Sequence, residues 1–470
     1  MNITLLTDAY KLTHWLQRPY GINHLYSYGE PRVGGRYKKV CIIGMQPILI
    51  KYFSQKVTKE DIEEGMEESL MTFGTDKYYP KEIWERVMRL GYFPLRIKSV
   101  PEGTLIDEGN VAFTIESTQD WFAPMISHFE DMLMWNWYSS SVATRSFYIK
   151  KAIKPIFEAT SDVPDLVLPV AVNDFGFRGG TYSEGAIMGG IAHLVNFRGS
   201  DNMSASKAIK DFYGLKGRAL SVWATEHSVA TSWGKDDEIG YIKAQLERSA
   251  PEAITSIVTD SYDDINFLKQ VVASEEIKKL IIEKTGRVVL RPDSNDPLRN
   301  VCSYSEILGS IFGYSLNNKG YKVINHNVGI IQGDGMTETS IPKLYEEYVR
   351  TGWSADNVVT GSGGGLLEED LTRDTSRWAI KLSYGEKDGV PFNTQKAPKS
   401  DMTKASKCGK LKLHKTHIRG SKPSFTTLES SKMSKEVFFG YADSLETVFE
   451  NGEINKISFE QIIENANSYL

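Results

Sequence analysis

Seven short segments of this chain carry most of the groups able to do chemistry, and each begins apolar or β-branched and ends polar. In TGSGGGLL, residues Ser362, Gly363, Gly364 and Gly365 offer consecutive backbone N–H groups that can surround a phosphate, because glycine permits a close approach. LRPDS sets the Arg291 guanidinium, matched to phosphate oxygens, beside the Asp293 carboxylate, suited to Mg²⁺ or a ribose hydroxyl. In IQGDG, Asp334 is flanked by Gly333 and Gly335 and can approach a sugar diol. His227 in ATEHS lies one unit before Asp260 in VTDSYDD, so adjacent strands bring that carboxylate to one imidazole nitrogen and leave the other nucleophilic. Phe175 and Arg178 in NDFGFRGG, and Tyr10 in TDAYKLTH, offer aromatic faces near polar anchors, while Asp201 in HLVNFRGSD can accept from an amide N–H₂. Taken singly, each has a plainer explanation: Asp and Gly end strands, Phe packs in cores, and an Arg–Asp pair closes a strand end. Their recurrence at the same point of seven units favours a shared site for a sugar phosphate and a flat ring.

The elements that must position these groups repeat. Asp174, Asp201, His227, Asp260, Asp293, Asp334 and Gly361 mark successive units separated by 26 to 41 residues, the length of a βα unit. Parallel strands covered on both faces read as continuous apolar runs, as VVLR and VGII do here. The spacing therefore predicts an α/β fold: a closed or nearly closed barrel of about seven parallel strands over residues 166–379, with its polar strand ends gathered on one rim. Residues 1–165 and 380–470 lack this period. LRIKSVPEGTLIDEGNVAFTIES (95–117) reads instead as antiparallel strands joined by tight turns, so the two flanks are expected to form one discontinuous α+β domain.

Composition excludes several classes. With 55 basic and 60 acidic residues, the net charge of −5 gives no general reason to bind nucleic acid or an anionic membrane. The basic stretch from Lys396 to Lys422 holds nine Lys or Arg against Asp401, and reads as a solvated loop or a phosphate clamp. Three scattered cysteines form no CxxC pair, which fits a reducing, cytoplasmic setting. The run VCIIGMQPILI is too short to span a bilayer, and the N-terminus lacks a basic, then apolar leader pattern.

TDAYKLTH, NDFGFRGG, HLVNFRGSD, EHS with WGKD, TDSYD, LRPDS, IQGDG, GSGGGLL and LTRD, in this order, resemble the nicotinamide phosphoribosyltransferases within the nicotinate-type phosphoribosyltransferases. The similarity runs over almost the whole chain. It implies transfer of a phosphoribosyl group to nicotinamide in NAD salvage, with Mg²⁺ and with ATP as co-substrate. It also implies a homodimer whose active sites lie at the interface, the pyridine ring held between Phe175 of one subunit and Tyr10 of the other. Asp201 then faces the carboxamide, with Arg178 near ring and phosphate. Arg291, Asp293, Gly333, Asp334, Gly364 and Gly365 hold the ribose phosphate, while Arg373, Lys381 and Lys407 serve the pyrophosphate side. His227 matches the histidine that family members phosphorylate from ATP, assisted by Asp260 and Asp293, the same two carboxylates being candidates for Mg²⁺. The sequence departs from the family pattern at Ala379, where well-studied members have serine, at Asn173, where animal members have histidine, and in a shorter segment after Arg32. The alternatives are a nicotinate phosphoribosyltransferase and a non-catalytic nucleotide-binding protein on the same scaffold.

Overall fold

The computed structural model describes residues 1–399, 405–416 and 422–470, so part of the basic stretch, including Asp401, Lys404 and Arg419, lies outside the described residues. The chain divides into two compact units. One comprises Met1–Thr144, Ile209–Leu215 and Asp370–Leu470, the other Arg145–Ala208 and Lys216–Glu369. The sequence expectation put the divisions near residues 165 and 380. The contacts put the first inside the long helix Asn136–Thr160 and assign the short piece Ile209–Leu215 to the terminal unit.

The second unit is built on seven parallel strands. Their order across the sheet is Gly199–Ser200, Val172–Asp174, Val358–Ser362, Val328–Gln332, Val288–Arg291, Thr255–Val258 and Trp223–Ala224. The two outer strands nearly meet. A parallel bridge joins Gly199 to Leu220, with Ser200 N–H donating to the Leu220 carbonyl at 3.0 Å and Leu220 N–H to that of Arg198 at 2.7 Å. Helices such as Ser183–His193, Glu238–Arg248, Pro297–Phe312 and Ser340–Val349 carry the crossovers that parallel strands require. The strand VGIIQ is buried at every residue and VVLR at all but Arg291, which explains the unbroken apolar reading of VVL and VGII.

Register aligns the strand ends. Asp174 pairs with Ser200 on one side and Ser362 on the other, and Arg291 pairs with Val258. Neighbouring strands lie about 4.8 Å apart, so groups that follow these positions necessarily share one rim.

The first unit carries a seven-stranded antiparallel sheet. Its strands, in order, are Val390–Asn393, Trp378–Lys387, Ile22–Pro31, Phe113–Ser117, Leu95–Ser99, Glu446–Glu450 and Glu453–Ile454. The segment 95–117 supplies the expected antiparallel pair, Leu95–Ser99 with Phe113–Ser117, while Leu105–Asp107 pairs instead with Lys39–Cys41. Among the described residues no helix is long and apolar enough to cross a membrane.

Among the described residues, each unit buries one histidine held neutral by its surroundings. His128 Nε2 lies 3.0 Å from the Ile3 carbonyl, and His193 sits between Ser146 Oγ at 2.9 Å and the Val172 carbonyl at 3.2 Å. Burial pushes both from 6.5 down to about 4. The unfolded chain takes up these protons as pH falls through 6.5 and the folded chain does not, so stability declines from pH 6.5 towards 4, by up to roughly 3 kcal/mol per histidine. Urea unfolding at pH 7 and pH 4.5 reads this loss, and His193→Gln should reduce the difference between the two.

Candidate functional site

The chemistry-bearing residues of the parallel unit lie at or just beyond the C-terminal ends of its strands, on the rim where such barrels build sites. Three segments meet at Gly333. A Cβ placed there would lie 3.0 Å from Asp293 Oδ1, 3.9 Å from the Phe175 ring and 4.0 Å from Arg291 Cδ. Phe175 is anchored by its N–H, which donates to the Ser362 carbonyl at 3.0 Å. Its ring lies so close over Gly361 that a Cβ at that position would stand 2.0 Å from it. Glycine at 361 is therefore what lets the ring occupy the rim.

Arg291 reaches Asp293 at 3.7 Å, and its own Nε is buried and finds no acceptor among the described residues. A buried guanidinium with an unused donor is prepared for an anionic oxygen. The Asp201 carboxylate is open at the rim yet crowded by protein, and accepts from Ser221 Oγ at 2.6 Å. Desolvation raises its pKa above the ordinary carboxylate value; Asp174 adds to the rise, while the Ser221 bond and Arg291 oppose it.

His227 begins a short helix, with Nε2 3.0 Å from Asp260 Oδ1 and Nδ1 3.9 Å from Asp293 Oδ2. Asp260 is fixed in turn: its Oδ2 accepts from the Asp293 N–H at 3.0 Å and from Ser294 Oγ at 2.6 Å. With both oxygens engaged, Asp260 suits an imidazole partner, and Asp293 is the better placed of the two expected metal ligands. One carboxylate completed by substrate oxygens is an ordinary Mg²⁺ arrangement. Among the described residues no group of three or more His, Cys, Asp or Glu could hold a metal without such help.

Asp334 is exposed, just after the strand Val328–Gln332 and before Gly335, whose φ of +67° shapes the turn. Gly364 and Gly365 start the four-residue helix Gly364–Leu367, where first-turn N–H groups have no partner within the helix. A Cβ at Gly364 would meet nothing within 4 Å, whereas one at Gly365 would meet the Met336 carbonyl at 2.5 Å. Ser362 Oγ donates to that same carbonyl, tying the two loops together. Arg178 projects into solvent and, among the described residues, reaches Glu226 at 3.7 Å. The loop that bears it is pinned by Thr181, whose N–H and Oγ both donate to Glu368 at 2.7 Å.

The remaining expected residues, Tyr10, Arg373, Lys381 and Lys407, belong to the first unit. Within that unit the three cations gather. Lys381 lies beside Tyr28 across the strand pair, and Lys407 stacks over the Tyr28 ring at 5.6 Å while bonding Glu30. Burial lowers the pKa of Lys381, and Arg32, Lys396 and Arg373 lower it further by like charge. Tyr10 is exposed and meets His14 edge-on at 5.1 Å. Of the departures at single positions, Ala379 pairs with Glu30 across the same strands, and the Asn173 amide donates to the carbonyls of Val170 and Thr360.

Sequence reading missed Ser221, whose hydroxyl donates to Asp201, and Ser294, whose hydroxyl donates to Asp260. Ser294 ends the LRPDS motif and was within its reach.

A parallel barrel whose rim joins an unsatisfied arginine, paired aspartates, a histidine and a glycine-rich turn defines a phosphate-ester enzyme of the phosphoribosyltransferase class. The chain belongs to the nicotinate phosphoribosyltransferase (NAPRTase) family, whose profile matches residues 170–452; that of the nicotinamide phosphoribosyltransferase N-terminal domain matches residues 2–97. It is 36% identical, over 99% of its length and 98% of the relative's, to a nicotinamide phosphoribosyltransferase of Xanthomonas campestris. It is 28% identical, over 95% of its length and 93% of the relative's, to one of Acinetobacter baylyi. In fold it is similar to the crystal structure of nicotinate-nucleotide pyrophosphorylase from Pyrococcus furiosus, with a TM-score of 0.62, 16% identity, and coverage of 99% of this chain and 95% of that one. Human nicotinic acid phosphoribosyltransferase follows with a TM-score of 0.58, 14% identity, and coverage of 98% and 93%.

Proposed function

We propose that the chain joins nicotinamide to phosphoribosyl pyrophosphate, giving nicotinamide mononucleotide and pyrophosphate for NAD salvage. The observation that carries this reading is the meeting of Phe175, Arg291 and Asp293 around Gly333, with the Asp201 carboxylate coupled to Arg291. A flat pyridine stacks on Phe175, its carboxamide N–H₂ donates to Asp201, and Arg291 takes the 5′-phosphate with help from Gly333, Asp334, Gly364, Gly365 and the outlying Arg178.

The pyridine nitrogen lone pair forms the bond to ribose C1 as the C1–O bond to pyrophosphate breaks and its electrons leave with pyrophosphate. No proton transfer is needed. The protein's work is to align that nitrogen with C1 and to aim cations at the departing charge. Arg373, Lys381 and Lys407 suit the pyrophosphate. Bound Mg²⁺, held by Asp293 and substrate oxygens, would neutralise charge on the leaving group.

ATP enters through His227: with Nε2 held by Asp260, Nδ1 takes the γ-phosphoryl as the P–O bond to ADP breaks. Exposed Tyr10, Phe177, Tyr182, Met203 and Trp223 favour a homodimer in which Tyr10 completes the partner's ring site. Three free cysteines suit the cytoplasm.

Product analysis with nicotinamide or nicotinate, phosphoribosyl pyrophosphate, Mg²⁺ and ATP tests the reading. Nicotinamide mononucleotide should dominate; better use of nicotinate would assign the chain to nicotinate instead. Gly361→Ala probes the ring site directly. Its methyl must displace Phe175, so KM for nicotinamide should rise ten-fold or more in steady-state assays while KM for phosphoribosyl pyrophosphate changes less.

A further inference from the structure

We propose that Arg145 is a positioning residue for the phosphoribosyl group: one buried guanidinium that locks together the two loops meant to hold the ribose phosphate. The inference rests on the phosphate-binding reading of those loops.

Arg145 lies on the helix Asn136–Thr160 with its side chain 1% exposed. Nη1 donates to the carbonyls of Gly365 at 2.9 Å and Leu366 at 3.0 Å, and Nη2 donates to that of Glu369. The carbonyls of Gly365 and Leu366, within the short turn Gly364–Leu367, and that of Glu369 just beyond it are thus held by one planar cation, which fixes the turn from behind. The other edge of the guanidinium faces the second loop. Nε stands 3.6 Å from Glu338 Oε2, four residues past Asp334, and Ser362 Oγ bonds Met336 from the opposite side.

Four-residue helices do not hold their shape alone, because the nucleation cost exceeds what one turn returns. The geometry of Gly364 and Gly365 is therefore set by what grips the turn, and Arg145 makes three of those bonds. Its charge also stands behind the turn as a fixed positive field that strengthens phosphate binding at the front. Lysine cannot replace it, since an ammonium is a point donor and cannot span three carbonyls and a carboxylate in one plane.

The test compares wild type, Arg145→Lys and Glu338→Gln, each checked by circular dichroism and melting. Calorimetry measures Kd for phosphoribosyl pyrophosphate with Mg²⁺, and steady-state assays measure both KM values. Arg145→Lys should weaken phosphoribosyl pyrophosphate ten-fold or more and Glu338→Gln three-fold or more, with KM for nicotinamide within two-fold and kcat at saturation within about three-fold. Equal rises in both KM values, or unchanged Kd in folded Arg145→Lys, would overturn the proposal. If Arg145→Lys does not fold, Glu338→Gln decides by the same ratio of KM values. A wild-type chain that binds phosphoribosyl pyrophosphate through Arg145 yet makes no nucleotide keeps this inference and defeats the reaction. One that does not bind it defeats both.

Discussion

Asp201→Asn is expected to lower kcat/KM for nicotinamide by roughly 5- to 10-fold while raising that for nicotinate. The Asn amide oxygen still accepts from the carboxamide, so the loss is the difference between a charge-assisted and a neutral hydrogen bond, about 1 to 1.5 kcal/mol. The gain follows from charge. At about 4 Å and an effective dielectric near 20, two carboxylates repel by roughly 4 kcal/mol, and an amide at position 201 removes that repulsion. The ratio of the two substrates should therefore shift by at least a thousand-fold in competition assays. An unchanged ratio would remove Asp201 from the specificity assignment.

The same carboxylate sets a pH dependence. Desolvation raises the pKa of Asp201, so as pH falls its charge is lost earlier than for an ordinary aspartate. KM for nicotinamide should rise on the acid side with an onset above the usual aspartate range. Ser221→Ala removes the hydrogen bond that stabilises the charged form, moving that onset upward.

How much of this could be read in the sequence depended on where the determining contacts lie. Buried parallel strands announce themselves because both faces are covered, as in VVLR and VGIIQ. The two outer strands are only Gly199–Ser200 and Trp223–Ala224, too short to show a pattern, and were placed by the polar residues that follow them. The pairing of His227 with Asp260 was legible because consecutive units put it on adjacent strands, which the 3.0 Å contact bears out. Arg145 was not legible. It lies 220 residues from the carbonyl of Gly365 that it binds, on a helix whose pattern reports only burial. The assignment of Ile209–Leu215 to the terminal unit escaped for the same reason, since the bond from Gln46 to the Phe212 carbonyl spans 166 residues. Local spacing reveals what neighbours in sequence do together and is silent where remote segments meet.

His227→Ala should abolish phosphate incorporation from γ-labelled ATP and reduce ATP stimulation of nucleotide formation to none, while basal transfer survives. The ring is held in place: Asp260 grips Nε2, and Asp260 is itself fixed by the Asp293 N–H and Ser294 Oγ. That grip selects the tautomer with its proton on Nε2 and leaves the Nδ1 lone pair unprotonated on the Asp293 side, 3.9 Å from Oδ2. Binding of nicotinamide and phosphoribosyl pyrophosphate draws on Phe175, Asp201 and Arg291, so their KM values in the absence of ATP should stay within a few-fold of wild type. Asp260→Asn separates orientation from charge: an amide oxygen still accepts from Nε2, but the cation formed on phosphorylation loses its counterion, and phosphorylation should slow by 100-fold or more. Label retained by His227→Ala would place the phosphoryl acceptor elsewhere, and equal losses with and without ATP would make His227 a binding group instead.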